Sequence, residues 1–212
     1  MIRRRLSWER TFAVVWLSLC CYPGTLHGQD QDDAADAARL IEVLGLREGS
    51  VVADIGAGSD ALLTVRIAPR VAPGTVYSTD INLDWLQDIR EAVKKLDLRN
   101  VRVVEGAADR TNLPEQCCDG VFIRHVYHHF ENPPAMNASL RESLKPGARL
   151  AVVDFAPDAG ASAPPGCRDS GRNHGVTPEA VIKELVAAGF IEVEQLPWSS
   201  VGYFLVVGRR PQ

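Results

Sequence analysis

No apolar run in this sequence is long enough to cross a bilayer, no cysteines stand in a C-x-x-C arrangement, no segment repeats, and basic residues are in the minority. Each absence removes a class of protein. The most apolar stretch, from Thr11 to Tyr22, falls well short of the roughly 20 residues that a spanning helix needs, so no stable membrane span is expected in the body of the chain. The first 28 residues hold Arg3, Arg4, Arg5 and Arg10 against Glu9 alone, which leaves the remainder with a net charge of -7. A body of that sign repels phosphate backbones and argues against a broad nucleic-acid surface, favouring a small-molecule partner. Apart from Cys20 and Cys21 in the apolar leader, only Cys117, Cys118 and Cys167 remain, an odd set with no metal or disulfide spacing. Adjacent cysteines rarely bond to each other, so buried or idle thiols are expected.

What is present is the composition of one globular domain: 212 residues, 46% hydrophobic and 24% charged. The N-terminus, MIRRRLSWERTFAVVWLSLCCYPGTLHGQD, has a basic start, an apolar stretch and a Pro-Gly break, the layout of a secretory signal. Residues 1–28 are predicted to be a signal peptide or short membrane anchor, and 29–212 the domain. The leader predicts export or membrane tethering, periplasmic in a bacterium, with a cytoplasmic location as the alternative.

An acidic segment then leads into Leu40, Val43 and Leu44 at helical spacing, stopped by Gly45 and Gly49, which predicts a lead-in helix over 32–45. From 50 to 208 the chain alternates. Strands are predicted at 51–55, 75–81, 101–105 and 119–125, helices at 59–68, 83–96 and 134–144, and a fifth strand within LKPGARLAVVDF. Such alternation builds an α/β fold, a parallel sheet with helices on both faces. The rhythm breaks at the end. TPEAVIKELVAAGF is a helix with Pro178 in its first turn and Gly189 as its stop, and IEVEQL and VGYFLVVG follow with only a short link, which requires an antiparallel hairpin. Residues 156–176, rich in Pro, Gly, Ala and Ser, read as a long loop or lid.

The chemistry begins at VVADIGAGSD, residues 51–60. An apolar strand ending in a glycine turn before a helix presents backbone N–H groups to a ligand, with no side chain in the way. Gly56 and Gly58 are the natural points of close approach. Alone the pattern is weak, since Gly56-x-Gly58-x-x-Ala61 also satisfies a dinucleotide fingerprint. Asp54 inclines the reading elsewhere: a carboxylate there crowds a pyrophosphate but suits a cationic group. Asp80 closes VYSTD, the position from which an acid takes both ribose hydroxyls in either kind of site.

Taken in order, VVADIGAGSD, VYSTD, ADRTNLPEQCCDGVFIRHVYHHF and LKPGARLAVVDF resemble the class I S-adenosylmethionine-dependent methyltransferases, in the small-molecule branch that includes the ubiquinone/menaquinone C-methyltransferases. The resemblance spans roughly residues 35–208. It implies a Rossmann-like seven-stranded sheet, mostly parallel with an antiparallel C-terminal hairpin, and S-adenosyl-L-methionine as cofactor. It carries cofactor-binding roles onto Asp54, Gly56, Ala57 and Gly58 for the methionine part and ribose, Asp80 for the ribose, Ile81 and Asp109 for the adenine, and His125 for the methionine moiety. Two departures stand out: Asp60 replaces the family's third glycine, and Ala108 replaces the glycine before the adenine-binding Asp. A nicotinamide-dependent oxidoreductase and a non-catalytic exported binding protein on the same fold are the rival readings.

The sulfonium methyl is already activated, so the expected reaction is an in-line displacement onto an aligned acceptor, with a general base optional. HVYHHF, residues 125–130, lies where acceptors approach in this family, and His128, His129 and Asp154 are the candidate catalytic residues. His174 reaches the same pocket from the lid or simply precedes the helix cap at Thr177. Tyr127, Phe130 and Trp198 are expected in the core or pocket wall. No metal set is expected, since no carboxylate or cysteine at ligand spacing completes His125, His128 and His129.

Overall fold

Consecutive residues of the central strands enter opposite hydrophobic layers. In β4 (Cys118–Arg124), Val121 and Ile123 pack on one face of the sheet and Phe122 on the other. In β5 (Leu144–Phe155), Leu150 and Val152 join the first layer, and Ala151 and Val153 the second. Side chains of a strand alternate with period two, so a run apolar at every position is a strand covered on both sides. A computed structural model of the protein describes residues 26–212, with side chains from residue 33 onward. The predicted leader, but for its last three residues, lies outside the described residues together with Cys20 and Cys21. Among the described residues no helix is long and apolar enough to cross a membrane.

The helices α1 (Leu26–Leu44) and α2 (Leu62–Val71) cover one face through Leu40 and Ile67. On the other, α4 (Pro133–Ser143) and α5 (Pro178–Ala187) contribute Leu140 and Leu185. The remaining elements are β1 (Val52–Ile55), β2 (Val76–Asp80), α3 (Leu83–Lys95), β3 (Val101–Glu105), β6 (Ile191–Leu196) and β7 (Tyr203–Arg209). Helix starts are fixed locally: Asn82, Asn132 and Thr177 each accept a backbone N–H from the first turn of the helix they precede.

The seven strands lie in the order β3-β2-β1-β4-β5-β7-β6. All pairs from β3 to β5 are parallel, and β7 runs antiparallel to both β5 and β6. Strand order reverses between β1 and β4, and open α/β sheets bind ligands outside the carboxyl ends of their strands at such a point. Here Ile55 pairs in register with Thr79 of β2 and Ile123 of β4, so the three strands end level.

Two expectations need correction. The helix placed at 59–68 begins only at Leu62, because Ala61 is in the left-handed region at φ 45° and prolongs the glycine turn. Cys117 and Cys118, expected as thiols, are joined in a disulfide where the chain enters β4, whereas Cys167 is free and exposed.

Candidate functional site

The level strand ends open into a cavity of about 670 Å³ lined by Asp54, Gly56, Ala57, Gly58, Asp80, Ile81 and His125, among others. Seven of the eight residues carried over from the family thus meet in one space. Gly56 and Gly58 are both left-handed, at φ 72° and 68°, but they are required for different reasons. A Cβ on Gly56 would stand 2.6 Å from Val126 Cγ2 and 2.8 Å from its Cγ1, whereas a Cβ on Gly58 would meet nothing within 4 Å. Gly56 is needed for space and conformation, Gly58 for conformation alone.

Asp80, only 5% exposed, is oriented by its neighbours: Oδ2 accepts the Gly58 N–H at 3.0 Å and Oδ1 the Asn82 N–H at 2.9 Å. Each oxygen keeps further acceptor capacity, and the residue lines the cavity. Beside it, Ile81 is 65% and Trp85 44% exposed. Both line the cavity and offer apolar surface suited to the face of a planar base.

Asp54 sits deeper. Its Oδ2 accepts the Thr64 hydroxyl at 2.7 Å, and Thr64 Oγ1 lies 3.0 Å from Ser78 Oγ. Burial pushes its pKa up to about 7, against the opposing pull of the Thr64 hydrogen bond and the Arg124 charge. Arg124, at the end of β4, also lines the cavity and pairs with Asp33 and Asp36 of α1 at 2.6 and 3.3 Å. An acid whose folded-state pKa lies above its unfolded value of about 4 holds its proton more tightly when folded, so stability drains away as pH rises from about 4 through 7. Measured against Asp54→Asn, wild-type protein is therefore expected to lose thermal stability between about pH 5 and 8, read as a falling difference in Tm. A flat difference would refute the protonated Asp54.

His125 is left-handed at φ 60°, donates its N–H to Val153 at 2.8 Å, and stacks on Tyr203 with ring centroids 4.3 Å apart. Burial, reinforced by Arg124, lowers its pKa to about 4, so the ring is neutral at pH 7. Asp60 stands exposed on the cavity rim. Asp109 is not among the residues that line the cavity. It faces solvent and pairs with Arg110, Nε to Oδ1 3.1 Å, while Ala107 and Ala108 line the cavity at that point. The adjacent guanidinium meets both carboxylate oxygens, Nη2 to Oδ2 at 3.4 Å.

Of the three catalytic candidates, His129 lines the cavity, whereas His128 and Asp154 lie buried behind it. Asp154 is wholly enclosed and fully used: it accepts the backbone N–H groups of His128 and Phe155 and meets His128 Nδ1 at 2.9 Å. It positions His128 rather than facing an acceptor. His174, near the end of the 156–176 loop, brings its Nε2 to 3.2 Å from that of His128. Burial and the neighbouring imidazoles lower the pKa of His129. Tyr127 is a core residue whose hydroxyl accepts from Asn137 at 2.8 Å, Phe130 lines the cavity, and Trp198 packs on the α1 side of the sheet. Trp85, Arg124 and Val126 were not legible as site residues. Trp85 carried the one available signal, an aromatic in the first turn of the helix that follows Asp80.

The fold is shared with S-adenosylmethionine-dependent methyltransferases. A crystal structure of one from Aquifex aeolicus superposes with a TM-score of 0.67 at 24% identity, covering 85% of this chain and 93% of that one. The [4+2]-cyclase SpnF has the same fold at a TM-score of 0.70 and 17% identity, covering 84% and 81% of the two chains. In sequence, a family described as "Methyltransferase domain" matches residues 53–152. The ubiquinone/menaquinone biosynthesis C-methyltransferase UbiE of Stutzerimonas stutzeri is 35% identical over 119 residues, 54% of this chain and 45% of that protein. The demethylmenaquinone methyltransferase of Listeria welshimeri is 31% identical over 118 residues, 54% and 48% of the two. The chain spans less than half the length of these curated relatives. Residues 53–152 thus resemble a methyltransferase domain, and the whole fold is one that S-adenosylmethionine-dependent methyltransferases share. Neither rival reading gains support from these likenesses.

Proposed function

We propose that this domain transfers a methyl group from S-adenosylmethionine to a small-molecule acceptor by in-line displacement. One observation carries the reading: Asp54, Gly56 and Asp80 converge on a single strand-end cavity, with an apolar lip at Ile81 and Trp85. When bound, the cofactor supplies an activated sulfonium methyl. Asp80 accepts the ribose hydroxyls, held in position by the Gly58 and Asn82 N–H groups. Asp54 would hold the amino-acid end and favour a cationic group there. Gly56 leaves the space that a side chain would take. His125, kept neutral by burial, sets no positive charge against the sulfonium. The acceptor approaches the wall that carries His129 and Phe130, and that wall has to align it and exclude water.

Titration calorimetry of the purified protein tests this directly. S-adenosylhomocysteine is expected to bind with micromolar affinity, and NAD not at all. Binding of NAD alone would overturn the proposal.

A further inference from the structure

His128, His129 and His174 each offer a ring nitrogen, and the three atoms lie within 4.8 Å of one another. The closest pair, His128 Nε2 and His174 Nε2, is 3.2 Å apart. Zinc–imidazole bonds of about 2.0–2.1 Å place neighbouring ligands of a tetrahedral site roughly 3.3 Å apart, so this pair already has the required spacing. His128 Nδ1 lies 2.9 Å from Oδ1 of the fully buried Asp154. A proton shared with that carboxylate stays on Nδ1, which leaves the Nε2 lone pair turned towards His174. This carboxylate–imidazole pairing is the arrangement that orients metal-bound histidines and raises their basicity. The ring of Phe155 lies 4.9 Å from that of His128 and 5.0 Å from that of His174, giving the cluster an apolar floor.

We propose that His128, His129 and His174 form a binding site for a divalent transition-metal ion of the zinc class. Three imidazoles leave a fourth position for a water molecule or an acceptor atom, on the side where His129 lines the cavity. Sequence spacing alone hid the set, because His174 lies 46 positions from His128 and reaches it through the lid. Without an ion, the same 3.2 Å contact is a hydrogen bond from His174 to His128, and the site binds nothing.

The two cases separate in an experiment on the untagged full chain, stripped with chelator and titrated with Co²⁺ alone. One ion per chain is expected, with the visible absorption of a four-coordinate cobalt site, displaced by Zn²⁺. His174→Ala, on an exposed turn and so without effect on the circular dichroism spectrum, is expected to weaken binding at least about tenfold, and Asp154→Asn by about 10- to 100-fold. Cys167→Ser is expected to bind as the wild type does. No cobalt absorption, unaltered binding by His174→Ala, or loss with Cys167→Ser would each overturn the site. A parallel titration with S-adenosylhomocysteine keeps the two readings apart: metal uptake without nucleoside binding removes the methyltransferase proposal alone, and the converse removes only the metal.

Discussion

Gly56→Val is expected to abolish detectable binding of S-adenosylhomocysteine. The loss has two physical sources. The added Cβ lands 2.6 and 2.8 Å from the two methyl groups of Val126, a stiff side chain with no flexible end to yield. The backbone at φ 72° is also one that a β-branched residue scarcely adopts, at a cost on the order of 1–3 kcal/mol. Relief of both strains moves the glycine turn or Val126, and both line the cavity. A paired measurement isolates the steric part. Gly56→Ala combined with Val126→Ala is expected to bind more tightly than the separate losses predict, with a coupling of about 0.5–3 kcal/mol, because Val126→Ala removes the two closest atoms. Gly58→Ala, whose Cβ meets no neighbour, should show no such coupling to Val126. Normal binding by Gly56→Val would mean that the turn does not cradle the ligand.

The second large effect is expected from Asp80→Ala. Two charge-assisted hydrogen bonds to the ribose hydroxyls disappear, worth about 1.5–3 kcal/mol each, which raises the dissociation constant roughly 10²- to 10⁴-fold. The domain should stay folded, since of the two N–H donors to the carboxylate Gly58 lines a cavity that water can enter and Asn82 is only half-buried. Asp80→Asn keeps one acceptor oxygen and should fall between the two. Calorimetry gives the affinities and a thermal melt the folding control. Unchanged affinity in Asp80→Ala would place the nucleoside elsewhere.

Strands and helices were legible because their signals are local. Both-sided apolar runs such as 121–123 mark covered strands, and Asn82, Asn132 and Thr177 cap helices through atoms a few residues away. Asp54, Gly56 and Asp80 were legible for a related reason: the end of a strand fixes where they point. Ala61 misled because nothing about alanine announces a left-handed turn. The pairing of Asp109 with Arg110 was not announced by its motif. The longest-range features were the least visible. Arg124 meets Asp33 and Asp36 across 91 and 88 positions, and Asp154 meets His128 across 26, contacts that only the assembled sheet creates.

The antiparallel placement of β7 between β5 and β6 roots the tail inside the sheet, one strand from its edge, while the segment at 156–176 leaves from the end of β5 and returns only at α5. Asp54 and Asp80 therefore sit in paired strands, whereas the 156–176 segment, which carries His174, lies outside that pairing. Substitutions in that segment are expected to leave the strand-borne acids in place.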